Sequence, residues 1–299
     1  MTVKLGTNPI AWSNDDLPEL GGDTPLESVL SDIQEVGFAG VELGGRFPRD
    51  PEELRHLLGR YRLDLVAGWY SSNLLVHDAD AEIEALRDHL ELLQALGSNV
   101  FIVAETSNAI HGNRNEPLTN SPTLSDEEWR RFGERLTRVA DYIQAQGLRL
   151  AYHHHLGTVV ETGQQLAKFL NVTGDGVGLT LDTGHAALGG IDAVSVVAQV
   201  PERIAHIHCK DVRRNVFETI YKSDRSFLDG VIQGMFTVPG DGDLDFQPLF
   251  EALAGIDYSG WVIVEAEQDP SIADPRAFAK IGIGTLRDKA KQAKLEAAL

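Results

Sequence analysis

Cysteine is nearly missing from this chain: Cys209 is the only one among 299 residues. An internal disulfide is thereby excluded, and the expected compartment is the reducing cytoplasm. Basic residues are also short, with 26 Lys and Arg against 45 Asp and Glu and a formal net charge of −19. So acidic a surface repels phosphate backbones and anionic lipid, and neither nucleic acid nor membrane is an expected partner. No apolar run nears the roughly 20 residues that a membrane-spanning helix needs. The opening Met1-Thr-Val-Lys-Leu-Gly-Thr-Asn-Pro9 lacks the basic-then-apolar pattern of a signal peptide. Phosphate-cradling loops are absent, since neither a Walker sequence nor a Gly-x-Gly-x-x-Gly follows a strand. No linker-like or low-complexity stretch interrupts residues 1–299, which predicts one domain.

What is present is a strand-then-helix alternation over an apolar content of 42%. Predicted strands cover Val3–Thr7, Gly40–Gly44, Leu63–Ala67, Val100–Ala104, Leu148–Tyr152, Val177–Leu181, Ile204–His208 and Trp261–Val264. Predicted helices cover Leu26–Val36, Pro51–Leu58, Ala81–Leu96, Ser125–Gln146, Gly163–Leu170, Asp192–Gln199, Phe246–Leu253 and Pro275–Leu299. Pro51 suits a first helical turn, and Ser125-Asp-Glu-Glu128 is a capping-box pattern. Strands alternating with helices imply a parallel sheet, and this many repeats suit a closed (β/α)₈ barrel better than an open sheet. The two long connections, Thr106–Leu124 and Val212–Gly242, both follow strands and therefore belong to the catalytic face.

Three apolar runs end in ligand-type residues: Leu179-Thr-Leu-Asp-Thr-Gly-His185, Ala205-His-Ile-His-Cys-Lys-Asp211 and Val262-Ile-Val-Glu-Ala-Glu267. A barrel strand buries its body and presents its C-terminal end to the active face, so the three converge on a site for one divalent ion. His206, His208 and Lys210 share parity, and with Ile207 and Cys209 turned to the helices all three face the lumen. His208, nearer the strand end, is read as a ligand, while His206 is equally well a core histidine. Asp182 is either a ligand or the cap of a following helix. Glu265 ends an apolar run and is costly to bury unless paired or metal-bound, whereas Glu267 suits a solvated loop start. His153, His154 and His155 are consecutive, and parity puts His153 and His155 on one side. Asp182, His208, Glu265 and one histidine form a nitrogen–oxygen donor set without thiolate. That set favours Mn²⁺ or Co²⁺ and admits Fe²⁺, Mg²⁺ or Zn²⁺. Gly240-Asp-Gly-Asp-Leu-Asp245 lacks the spacing of a calcium loop and is read as a tight turn before the helix that follows.

With these residues in hand, the chain resembles the xylose-isomerase-like barrel superfamily. The carriers are Gly6-Thr-Asn-Pro-Ile-Ala-Trp-Ser-Asn-Asp-Asp16, Tyr152-His-His-His-Leu-Gly-Thr158, Asp182-Thr-Gly-His185, Pro239-Gly-Asp-Gly-Asp-Leu-Asp245 and Glu265-Ala-Glu-Gln-Asp-Pro270. Within that group it is similar to the branch that removes water from a keto-inositol. The resemblance implies a metal-dependent dehydratase acting on 2-keto-myo-inositol to give a trihydroxycyclohexane-1,2-dione. The alternative is a sugar isomerase or epimerase working through the same enediolate. A polyol sensor without turnover is the non-enzymatic reading. The superfamily's metal set, Glu, Asp, His and Glu from strands five to eight, matches Asp182, His208 and Glu265. Where that set has its first Glu, this chain has His153, which leaves His153, His155 or Glu161 as the fourth ligand. The implied acid–base candidates are His153, His154, His155 and His185, with Lys210 as electrostatic helper. Asn8, Trp12, Glu105 and His185 are the expected contacts to substrate hydroxyls. The implied partner is a small cyclic polyol ketone, and a homo-oligomer is compatible.

Overall fold

The computed structural model describes residues 2–298. Eight parallel strands close into a barrel: β1 Thr2–Thr7, β2 Gly40–Leu43, β3 Asp64–Ser72, β4 Val100–Glu105, β5 Arg149–His153, β6 Gly178–Asp182, β7 Ile204–Cys209 and β8 Trp261–Val264. Each pairs with its sequence neighbour, and β8 pairs with β1. The expected (β/α)₈ architecture is therefore present.

Two apolar layers hold the barrel. Outward-facing residues such as Leu5, Val41, Phe101, Leu150, Leu179, Ile207 and Cys209 join the surrounding helices in the large core. Val66, Val100, Ile102, Ala151, Trp261 and Ile263 form a separate cluster that fills the lumen. Cys209 and Ile207 thus face the helices, as the alternation required. The lumen is tight enough to demand glycine on β2. A Cβ on Gly40 would lie 2.7 Å from the Trp261 ring and 2.8 Å from the Asp64 carbonyl.

Local signals set most helix limits. Ser125 and Glu128 form the reciprocal capping box at the start of Asp126–Ala145, satisfying orphan amides there. Asp50 caps Pro51–Tyr61 with its carboxylate on the amides of Glu52 and Glu53. Several expectations are corrected. The helix expected over Ala81–Leu96 starts at Ala79 and divides into Ala79–Ala85 and Arg87–Ala95. The closing helix ends at Gln292, and Glu296–Ala298 adds a short parallel strand beside β1; Leu299 lies outside the described residues. Asp182 caps a short helix, Thr183–Leu188, as one of its two sequence readings allowed, although no helix was expected between Asp182 and Asp192.

The connection after β7 is structured. Asp211–Val212 pairs antiparallel with Phe236–Thr237, and between them lie helices Arg214–Lys222 and Phe227–Ile232. With Leu118 and Leu156 they build a second small core of Val212, Ile220, Phe227, Val231, Met235 and Phe236 over the barrel mouth. The Gly240 turn wraps the Asp211 carboxylate, which accepts amides from Gly240, Gly242 and Leu244 at 2.9–3.1 Å. That wrapping anchors the insertion directly beside Lys210.

Candidate active site at the barrel mouth

The C-terminal ends of the strands open into a cavity of about 930 Å³. Its lining includes Asn8, Glu42, Trp69, His111, His153, His155, His208, Glu265 and Glu267. Strand register sets the depth of each group. Asp182 on β6 pairs with His208 on β7, and His208 pairs with Ile263 on β8, so Glu265 follows one step nearer the mouth.

His153, Asp182, His208 and Glu265 converge, each offering one ligand atom with all four atoms within 4.8 Å of one another. His153 Nε2 and His208 Nδ1 lie 3.7 and 3.8 Å from Asp182 Oδ2. His208 Nδ1 also meets Glu265 Oε2. Asp182 divides its work: Oδ1 accepts the His185 amide at 2.8 Å and caps the short helix, while Oδ2 has no hydrogen-bond partner. His208 Nδ1 and Glu265 Oε2, in contact with each other, are buried with no further partner. Buried nitrogens and carboxylate oxygens gathered at one point are what a cation's ligands require. Asp182 and Glu265 are both buried, so the cluster gathers carboxylate charge that a cation would offset. His153, Asp182, His208 and Glu265 together could hold a metal ion. Glu161 is elsewhere: its carboxylate accepts the Gly157 amide at 2.7 Å.

Behind this cluster, Glu42 Oε1 accepts from His206 Nε2 at 2.8 Å and His208 Nε2 at 2.9 Å. Burial pushes the Glu42 carboxyl up, but the charge of His208 and the two imidazole hydrogen bonds outweigh it and bring it down to about 2. Burial opposes charge on His208, and the facing Glu42 and Glu265 raise it well above the usual imidazole range.

Beside the cluster, Lys210 Nζ reaches Glu267 at 2.7 Å, Glu265 at 3.0 Å and Asp182 at 3.5 Å. Burial alone would discharge this ammonium, and the three carboxylates hold it protonated. Burial, assisted by Glu265 and opposed by Lys210, lifts Glu267 to about 7. Thr183 clamps the Lys210 backbone, donating to its carbonyl at 2.7 Å and accepting its amide at 2.9 Å. Glycine at 184 is a matter of space, because a Cβ there would sit 2.7 Å from Lys210 Cγ.

His155 and His185 stack with ring centroids 3.7 Å apart. Burial lowers both well below the usual imidazole range, with His111 adding to the effect on His155 and His155 adding to it on His185. His155 Nδ1 bonds to the Leu156 carbonyl at 2.7 Å, which puts the proton on Nδ1 and leaves Nε2 as an acceptor. His185 is more constrained, with Nδ1 on the Leu156 amide and Nε2 3.0 Å from Lys210 Nζ. Phe227 and Phe236 from the insertion pack against this pair.

Some predicted residues are engaged elsewhere. His154 points away from His153 and His155; its Nε2 accepts the Asp182 amide at 3.3 Å, and burial lowers it to about 3. Trp12 is buried outside the cavity, donating from its indole to Asp32 at 3.1 Å. Glu105 is consumed by the Ser72 hydroxyl and the amides of Leu74 and Ser107. Asn8 lines the cavity, but its Oδ1 accepts the Ile10 amide and its Nδ2 donates to Glu42. Glu267 is a buried ion-pair member rather than a solvated loop residue. Glu42, Trp69 and His111 went unnoticed in the sequence. The signal for Glu42 was visible, a lone carboxylate inside the apolar strand Gly40-Val-Glu-Leu43.

The fold and this constellation define a barrel built around a His/Asp/Glu cluster able to hold a metal ion. The chain belongs to the xylose isomerase-like TIM barrel family, which matches residues 30–289. It is 46% identical over 282 residues to the rhizopine catabolism protein MocC of Rhizobium meliloti, covering 94% of this chain and 87% of that protein. It is 39% identical over 279 residues to an inosose dehydratase of Clostridium perfringens, covering 93% and 94% of the two chains. Among solved structures, an L-ribulose 3-epimerase superposes with a TM-score of 0.68 at 19% identity, over 98% of this chain and 96% of that one. That likeness concerns the fold alone.

Proposed function

We propose that this chain is a metal-dependent inosose dehydratase, a hydro-lyase of inositol catabolism that acts as a single catalytic domain in the cytoplasm. The observation that carries the reading is the pairing of two neighbouring groups at the barrel mouth. One is the ligand cluster of His153, Asp182, His208 and Glu265; the other is the proton-handling cluster of His155, His185, Lys210 and Glu267. Relatives named inosose dehydratase match over almost the whole chain, and the small-molecule substrate is a cyclic polyol ketone, 2-keto-myo-inositol.

His153, Asp182, His208 and Glu265 would hold Mn²⁺ or Co²⁺, which when bound would supply Lewis acidity next to a ketone. The chain's own residues do the rest. His155 presents an unprotonated Nε2 to the cavity, because Nδ1 is committed to the Leu156 carbonyl. It accepts the proton from the carbon next to the ketone. The electron pair of that C–H bond forms the C=C bond and the β-hydroxyl departs with its own pair, leaving an enol that tautomerises to the dione. Glu267 lines the cavity with an unpartnered Oε2, and Lys210 holds its Oε1. It delivers the proton that turns the leaving group into water. Lys210 adds a fixed positive charge beside the developing enolate. Phe227 and Phe236 pack against the His155–His185 pair and hold its rings.

The test is incubation with 2-keto-myo-inositol and Mn²⁺ or Co²⁺, followed by dione absorbance and proton NMR. Dione without accumulating epimer is the expected result. Epimer without dione would make the enzyme an epimerase on the same metal, and no turnover with tight binding would make it a sensor.

A further inference from the structure

Glu42 stands outside the ligand cluster and on the opposite side of the barrel in sequence, yet three side chains converge on it. Oε1 receives His206 Nε2 at 2.8 Å and His208 Nε2 at 2.9 Å, and Oε2 receives Asn8 Nδ2 at 2.8 Å. Asn8 cannot turn its amide over, because its Oδ1 is already the acceptor for the Ile10 amide at 2.9 Å. The chain therefore reads Ile10 amide, Asn8, Glu42, His208, with the direction of each hydrogen bond set by the one before it. A carboxylate that accepts from Nε2 holds one His208 proton there, so Nδ1 is the nitrogen that can give up its proton to become a ligand. Nδ1 is the atom that faces Asp182 Oδ2 and Glu265 Oε2.

We propose that Glu42 is a positioning residue: it selects the His208 tautomer and fixes the ring, and Asn8 in turn fixes Glu42. This rests on the reading of His208 as a metal ligand. It also reassigns Asn8 from substrate contact to clamp. An outer carboxylate of this kind raises the basicity of its imidazole and pre-aims it. The alternative, that Glu42, His206 and His208 themselves hold an ion, fits the distances poorly. Separations of 2.8–2.9 Å are hydrogen-bond lengths. Ligand atoms around one first-row ion at roughly 2.0–2.2 Å stand further apart than that in tetrahedral geometry.

The experiment titrates Co²⁺ into metal-free protein by calorimetry and visible absorption, for the parent chain, Glu42→Gln, Glu42→Asp, Asn8→Ala and His208→Ala. Apo melting temperatures are recorded in parallel. The parent chain binds one equivalent, and His208→Ala weakens it. Glu42→Gln weakens Co²⁺ by about 10- to 100-fold, with an altered absorption band and one equivalent still bound at saturation. Glu42→Asp, which keeps the charge, recovers part of the loss. Asn8→Ala, at a half-buried position, weakens binding in the same direction by less, and it decides the matter if Glu42→Gln does not fold. Parent-like affinity and spectrum in Glu42→Gln, with only a lowered apo melting temperature, would leave Glu42 a packing residue and overturn the proposal. Two equivalents in the parent chain falling to one in Glu42→Gln would make it a ligand and overturn the proposal as well. If the parent chain binds no Co²⁺, it is the metal reading that has failed, and Glu42 with it.

Discussion

Replacing Lys210 by methionine removes one charge and little volume from the most heavily charged part of the interior. The ammonium lies 2.7, 3.0 and 3.5 Å from the carboxylates of Glu267, Glu265 and Asp182. It also sits 4.7 Å from the Phe236 ring centre, a contact that a methionine side chain retains. At an effective permittivity of about 20, one unit pair is worth about 6 kcal/mol at 2.7 Å and about 5 kcal/mol at 3.5 Å. Desolvation of the lysine and the carboxylates cancels most of that sum. What remains is the cost of stripping one partner from a buried network, about 3–5 kcal/mol. At about 2 °C per kcal/mol for a chain of this size, metal-free Lys210→Met should melt about 6–10 °C below the parent. Saturating Co²⁺ should shrink the gap, because a divalent ion neutralises two of the same carboxylates. Circular dichroism melts of both proteins, with and without Co²⁺, give the four numbers needed. A metal-free melting temperature within about 2 °C of the parent would refute the charge argument. A gap that widens on adding Co²⁺ would show that the ion does not share those carboxylates.

The histidine run separates by direction. His155→Ala should lower kcat by about 10²–10⁴-fold with Co²⁺ binding kept, as loss of a proton-transfer group does. His154→Ala should chiefly lower the melting temperature, and comparable kcat losses in the two would erase the distinction. Excess chelator should abolish dione formation and Mn²⁺ or Co²⁺ should restore it, so full activity in a chelator would remove the metal from the reaction. In the lumen, Gly40→Ala pushes a methyl against Trp261 and the Asp64 carbonyl, and denaturant melts should show a loss of about 1–3 kcal/mol or more.

Much of this molecule follows from short-range rules that a sequence displays directly. Period-two alternation placed Ile207 and Cys209 outward and His206, His208 and Lys210 inward, and the barrel keeps that parity. Ser125, Pro51 and Gly37 punctuate helices because caps satisfy amides and carbonyls within one turn. Strand-end carboxylates and histidines stood out since an ionisable group next to an apolar run needs a partner. Parity also separated His153 and His155 from His154.

Tertiary structure alone decided who those partners are. Glu42 meets His206 and His208 across 164 and 166 residues of chain, a pairing set by barrel closure and strand stagger rather than by any local pattern. The same closure gives Asn8, Trp12 and Glu105 their partners: Glu42, Asp32, and Ser72 with the Leu74 and Ser107 amides. It also turns Glu267 from a loop residue into the counter-ion of Lys210. Strand ends could be read from the chain one at a time. Which oxygen of Asp182 caps a helix and which faces His153 and His208 depends on where the neighbouring strands arrive, and that is a property of the closed barrel.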